Sequence, residues 1–130
     1  MNDSSATPSG PEQNLALAQL DRLQEILSGS LGQLRDQAHA KRLAGDELGA
    51  NLIVLRVDDL TLADLKIEAA RRKVMLAKTS LAPAIEALRG LVGQANAARQ
   101  QLANIAQALA AAAALIDILG RIAGILSPRP

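Results

Sequence analysis

Apolar residues recur at seven-residue spacing along the second half of the chain, and this is the strongest pattern in the sequence. From Leu60 to Ala123 every seventh residue is apolar, and so is every residue three places after these. Two such series place apolar side chains on one stripe of an α-helix that packs against other helices. We call this stripe the heptad seam. The large seam residues expected to hold helices together are Leu60, Ile67, Val74, Leu81, Leu88, Leu102, Ile105, Leu109, Ile116 and Leu119.

The first half of the chain also has helical spacing. Leucines at three- and four-residue steps predict a helix over residues 12–43, preceded by a disordered tail over 1–11 that is rich in Ser, Pro and Gly. Gly45 followed by Asp46 is typical of a helix end followed by the N-cap of the next helix.

A second helix is predicted over 46–57 and a third over 60–79. The residues that share one face at the start of this region are Leu48, Leu52, Leu55 and Leu62, which favours helix over an isolated strand. Asp58 and Asp59, followed by Thr61 and Asp64 at capping-box spacing, predict a break between the two helices.

Pro83 predicts a bend or break at residues 79–83, because proline removes a helical hydrogen bond. Either Ser80 caps a new helix that holds Pro83 in its first turn, or one helix continues through a kink. A last helix is predicted over 82–126. Together the elements predict an all-α fold: an elongated helical hairpin or small bundle of long, coiled-coil-like Ala/Leu helices, with a single helical domain over 12–130.

Composition narrows the chemistry. The chain has no aromatic residue, no cysteine and a single histidine, His39. These absences exclude a disulfide scaffold, a thiol nucleophile and an aromatic platform for stacking bases. No nucleophile and base, phosphate loop or metal cluster occurs at a motif spacing. We therefore expect no catalytic, cofactor-binding or metal-binding residues, no small-molecule substrate and no enzymatic activity.

Charge is unevenly distributed although the formal net charge is only +1. Residues 1–61 carry an excess of four acidic residues, and residues 62–99 an excess of four basic residues. The cluster Arg71, Arg72, Lys73 and Lys78 could bind an anionic partner, but it also suits a solvated face or ion pairs between chains. Nucleic acid is not expected, because nothing aromatic or glycine-rich accompanies the cluster.

The sequence leaves three functional hypotheses. The first is a scaffold that self-assembles through its heptad seams, as a homo-oligomer or with another helical protein. The second is a membrane-active protein whose apolar segment 102–126 lies on or enters a bilayer, with Gly120 and Gly124 at a spacing for close helix packing. The third is an adaptor or chaperone-like partner. No secretory signal peptide is recognised, which favours a cytoplasmic or peripheral membrane location.

Overall fold

The structure is a computed structural model that describes residues 10–126, and these fold as an all-α bundle. The four longer helices are α1 (Gly10–Leu43), α2 (Glu47–Met75), α3 (Ala82–Gln101) and α4 (Ala108–Gly120). A 3₁₀ turn (Ile105–Gln107) precedes α4, and a short helix, α5 (Ile122–Leu126), follows it. The predicted all-α fold is confirmed. Most of the predicted disordered tail lies outside the described residues, but Gly10 and Pro11, which that prediction included, already belong to α1, since proline fits a first helical turn.

The four longer helices occupy the corners of a bundle. α1 packs against α2 and α3, and α4 packs against the same two helices from the opposite corner. α1 and α2 are antiparallel: the Gln13 side chain, near the start of α1, donates to the Val74 carbonyl near the end of α2 at 3.5 Å. α3 runs parallel to α1, whose Gln37 amide donates to the Leu102 carbonyl just past the end of α3.

A tight turn joins α1 to α2, as Gly45 and Asp46 predict. Gly45 has a φ of 84°, a left-handed conformation that glycine adopts without steric cost. Asp46 is the N-cap of α2, and its carboxylate accepts a hydrogen bond of 2.8 Å from the Gly49 N–H. These two residues end one helix and begin the next within three residues, which sets α1 and α2 side by side.

The predicted break at Asp58–Asp59 is wrong, because α2 runs uninterrupted through residues 47–75 and joins the helices predicted over 46–57 and 60–79. The Thr61 hydroxyl does not cap a new helix. It donates to the Val57 carbonyl at 2.7 Å, one turn back within α2. α2 also ends earlier than predicted, at Met75 rather than at residue 79.

The predicted break before Pro83 is confirmed. Residues 76–81 connect α2 to α3, and Pro83 lies in the first turn of α3. The Ser80 hydroxyl accepts a hydrogen bond from the Ala82 N–H at 3.2 Å and donates to the Glu12 carboxylate at 2.9 Å. Proline in the first turn lacks only a donor that would have no helical partner there, so this arrangement costs little.

The continuous helix predicted over 82–126 is wrong. The chain turns back over residues 102–107, where the Asn104 side chain accepts a hydrogen bond from the Ala106 N–H at 3.0 Å. The Gln37 side-chain amide donates a hydrogen bond to the Leu102 carbonyl at this turn. A second interruption at Arg121 separates α4 from α5. Alanine-rich sequence favours helix throughout, and the Asn104 side chain and the Gln37 contact stabilise the turn that interrupts it.

The core consists of aliphatic side chains from α1 to α5. Its largest fully buried members are Leu20, Leu23, Leu27, Leu34, Ile53, Leu60, Ile67, Leu88, Leu102, Leu115, Leu119 and Ile122. Buried alanines such as Ala50, Ala95 and Ala112 lie between them and let neighbouring helices approach closely. The interior is thus packed without a single ring.

Replacing Thr61 by proline tests the continuity of α2. In an uninterrupted helix the substitution removes a hydrogen bond and clashes with the preceding turn, so we expect Thr61→Pro to lower the free energy of unfolding by about 3 kcal/mol or more. Thr79→Pro, in the connection before α3, is the matched control and should cost much less. Equal effects of the two variants in urea denaturation would contradict a continuous α2.

The N-cap of α2 predicts a pH dependence of stability. The hydrogen bond from the Gly49 N–H, with a smaller contribution from Lys41, lowers the pKa of Asp46 from its ordinary value of 3.8. A lowered folded-state pKa stabilises the fold above the unfolded-state pKa, and this stabilisation is lost as pH falls through the folded-state pKa. Asp46→Asn keeps a cap acceptor but removes the charge. The wild-type protein should therefore have the higher Tm at pH 6, and the difference should shrink below about pH 4.

Candidate protein-interaction face on α2

The heptad seam predicted to bind other chains lies mainly inside this one. Seven of its ten large residues are buried among the chain's own helices: Leu60, Ile67, Val74, Leu81, Leu88, Leu102 and Leu119. These side chains are therefore occupied by intramolecular packing and offer no surface to a second copy in this structure.

The other three seam residues lie away from the centre of the core. Ile105 and Leu109 are exposed, and Ile116 is half-buried. The reason is the turn at 102–107, which breaks the helix and resets which side of it faces inward. In α4 the buried residues include Ala108 and Leu115, each one residue before a seam position, together with the seam residue Leu119.

An exposed row of leucines runs along the outer side of α2. Six residues form this α2 leucine face: Leu48, Leu52, Leu55, Leu62, Leu65 and, at the C-cap, Leu76. Their exposed fractions range from 43% to 75%. The buried residues of the same helix, including Ile53, Leu60, Ile67 and Val74, lie on its opposite side. Soluble monomers rarely expose so many large apolar side chains on one element, so this face is the candidate interaction site.

The central residues of the α2 leucine face form one continuous line along the helix because they are evenly spaced. Leu48, Leu55, Leu62, Ala69 and Leu76 are seven residues apart, the same repeat that runs through the buried side of α2. A seven-residue repeat follows a helix that supercoils gently around its neighbours. The row is about 42 Å long at about 1.5 Å per residue.

Charged residues of opposite sign flank the two halves of the face. Asp58 and Asp59 lie beside its first half, and Lys66, Arg72 and Lys73 lie beside its second half. Asp59 is 3.7 Å from Arg56 on its own helix. Lys66, Arg72 and Lys73 take part in no ion pair within residues 10–126.

The basic cluster predicted from the sequence is divided in the structure. Arg71 turns towards α1, where it forms an ion pair with Asp21 at 2.5 Å and donates to the Gln24 side chain. Its pairing with Asp21 is an intramolecular contact between the acidic first half and the basic middle of the chain. Arg72 is exposed and Lys73 is half-buried near the end of α2, and Lys78 is exposed in the connection that follows it.

Within the described residues no other helix packs closely against Gly120 or Gly124, so the close packing with another helix that their spacing predicts stays a prediction. A methyl group added at Gly124 would meet no heavy atom within 4 Å, and one added at Gly120 would meet only the Lys66 ammonium, at 3.4 Å. Both glycines line an open cleft against the first turn of α3.

The C-terminal apolar segment is partly covered by the bundle. Ile105–Leu126 is long and apolar enough to cross a membrane, and about a third of its most apolar stretch is buried against the other helices. Asp117 and Arg121 form an exposed ion pair of 2.6 Å on its outer side.

The described residues contain no group of three or more His, Asp or Glu side chains that could hold a metal ion. Comparisons with protein-family models, curated proteins and solved structures find no match to this chain. The α2 leucine face therefore has to be interpreted from its own geometry and charge.

Two leucines two residues apart on α2 test which side of the helix supports the fold. Leu60 is fully buried and Leu62 is 60% exposed. We expect Leu60→Ala to lower the free energy of unfolding by about 2–5 kcal/mol. Leu62→Ala should change it by no more than about 0.5 kcal/mol in dilute protein. Urea denaturation followed by circular dichroism measures both, and a larger loss for Leu62→Ala would reverse the assignment of the two faces.

Proposed function

We propose that this protein is a non-enzymatic helical scaffold that self-assembles through the α2 leucine face. The observation that carries the proposal is the row of six exposed leucines on one side of one helix. Full burial of a leucine side chain contributes about 1.5–3 kcal/mol relative to leaving it in water, so covering even part of this row supplies a large driving force for association. The proposal keeps the self-assembly predicted from the sequence but moves it from the heptad seam to the outer side of α2.

The shape of the face suits another helix. It is narrow and long, and its apolar residues follow helical spacing, which is the pattern that a helix recognises in a helical partner. Charges border it on both sides, so the apolar strip has the polar rim typical of protein interfaces.

A second candidate function, membrane association, is favoured by one observation. The segment Ile105–Leu126 meets the length and composition of a membrane-spanning helix. Its Asp117–Arg121 ion pair, however, is costly in hydrocarbon, and the interruption at Arg121 divides the segment. These features favour its role as a bundle helix, so self-assembly is the leading proposal.

Paired lysine substitutions test the proposed function. Leu55→Lys with Leu62→Lys places two charges in the middle of the α2 leucine face without touching the core. The wild-type protein should sediment above its monomer mass of 13.6 kDa at micromolar concentration, and the double variant should sediment as a monomer. Because the chain has no Trp or Tyr, interference or refractive-index detection is required.

The matched control substitutes two exposed leucines elsewhere, Leu15→Lys and Leu43→Lys on α1, and should keep the wild-type mass. A wild-type protein that is monomeric at all concentrations, or control and test variants that behave alike, would contradict the proposal. Flotation with anionic phospholipid vesicles that is abolished by Ile105→Asp with Leu109→Asp, but not by the α2 substitutions, would favour membrane association instead.

A further inference from the structure

The α2 leucine face contains a central line that has the same apolar spacing in both directions, with Leu52 and Leu65 lying outside it. Its central line is Leu48, Leu55, Leu62, Ala69 and Leu76, so Leu62 is the midpoint and each residue has a counterpart at the same distance on the other side. A second copy of α2 that runs in the opposite direction, with Leu62 against Leu62, would therefore align this central line. Leu55 would then lie opposite Ala69 of the second copy, where a large side chain meets a small one.

The flanking charges are complementary in this antiparallel arrangement. With Leu62 at the centre, Asp59 of one copy lies close to Lys66 of the second copy, because both are on the same side of the row, three residues before and four residues after its midpoint, which leaves an offset of about 1.5 Å along the helix. The two-fold symmetry forms this pair twice. The Lys66 ammonium lies near Gly120 of α4 but takes part in no ion pair within the described residues, and Asp59 has only the exposed contact of 3.7 Å with Arg56 on its own helix.

A parallel arrangement would bring like charges together. Two α2 helices side by side in the same direction place Asp58 of one copy beside Asp59 of the other, and Arg72 beside Lys73. Each of these contacts is repulsive and each occurs twice, so charge disfavours a parallel pair. The same argument disfavours an anionic bilayer as the occupant, since Asp58 and Asp59 lie beside the middle of the row.

We propose that the α2 leucine face is the interface of an antiparallel homodimer with its two-fold axis at Leu62. This inference rests on the proposed self-assembly and adds its partner orientation and its ion pair, Asp59 with Lys66 of the second copy. Such an interface uses the same surface on both copies, so it closes at two chains and does not propagate into a filament.

Engineered cysteines test the orientation, and the chain has no native cysteine to interfere. A mixture of Leu55→Cys and Ala69→Cys chains should form a mixed disulfide dimer under mild oxidation, because the two positions oppose each other. Leu55→Cys alone should form no more disulfide dimer than a Leu15→Cys control, since the two copies of position 55 would be about 21 Å apart along the helix. Efficient dimers of Leu55→Cys alone would indicate a parallel pair and overturn the inference.

Charge reversal tests the ion pair by an independent measurement. Asp59→Lys or Lys66→Asp alone should weaken the dimer by about 10-fold, because each creates two repulsive contacts. The double variant should recover the wild-type dissociation constant, and the two single variants mixed together should associate preferentially with each other. A dimer that Asp59→Lys strengthens would contradict the antiparallel arrangement.

The failures of the two proposals are distinguishable. If the protein forms dimers that the α2 lysine substitutions disrupt, but the disulfides form between identical positions, self-assembly stands and the antiparallel inference fails. If the wild-type protein is a monomer and no mixed disulfide forms, both fail.

Discussion

The continuity of α2 is the constraint on which the rest of the structure depends. A straight helix of 29 residues with apolar residues on two opposite sides can direct only one of them into the core. The side that contains Leu60, Ile67 and Val74 packs against α1 and α4, and the side that contains Leu55 and Leu62 is left in water. A break at Asp58–Asp59 would have allowed both sets to face inward. The exposed face is therefore a direct consequence of the uninterrupted hydrogen bonding of α2.

The aliphatic core follows from how these helices pack. Leucine and isoleucine fill the space between helices, and buried alanines hold the backbones close, so no position requires an aromatic ring. Alanine contributes little buried area per residue, and the fold relies on its leucines for most of its hydrophobic stabilisation. The leucines of the α2 face contribute little to the stability of a single chain, because they stay exposed to water.

The sequence predicted the elements that depend on local chemistry. The all-α class, the turn at Gly45–Asp46 and the placement of Pro83 in a first helical turn all follow from backbone preferences of those residues. The breaks were less predictable: Thr61 has the spacing of a cap but bonds within its helix, and the turn after Leu102 depends on Gln37, which is 65 residues away in sequence. The seam residues were identified as contact residues, but sequence periodicity does not distinguish contacts within a chain from contacts between chains. The α2 face did leave a signal, because Leu48, Leu55 and Leu62 repeat every seven residues in a different phase from Leu60.

The turn over residues 102–107 also limits how far the apolar C-terminal segment can reach. α4 has 13 residues, so it is about 20 Å long, whereas the hydrocarbon layer of a bilayer is about 30 Å thick. To match that thickness the chain would have to wind the 3₁₀ turn and the interruption at Arg121 into one helix. Doing so would break the cap at Asn104 and the bond from Gln37 to the Leu102 carbonyl. In the folded bundle the most apolar sequence is thus divided into two helices, α4 and α5, each shorter than the hydrocarbon layer of a membrane is thick.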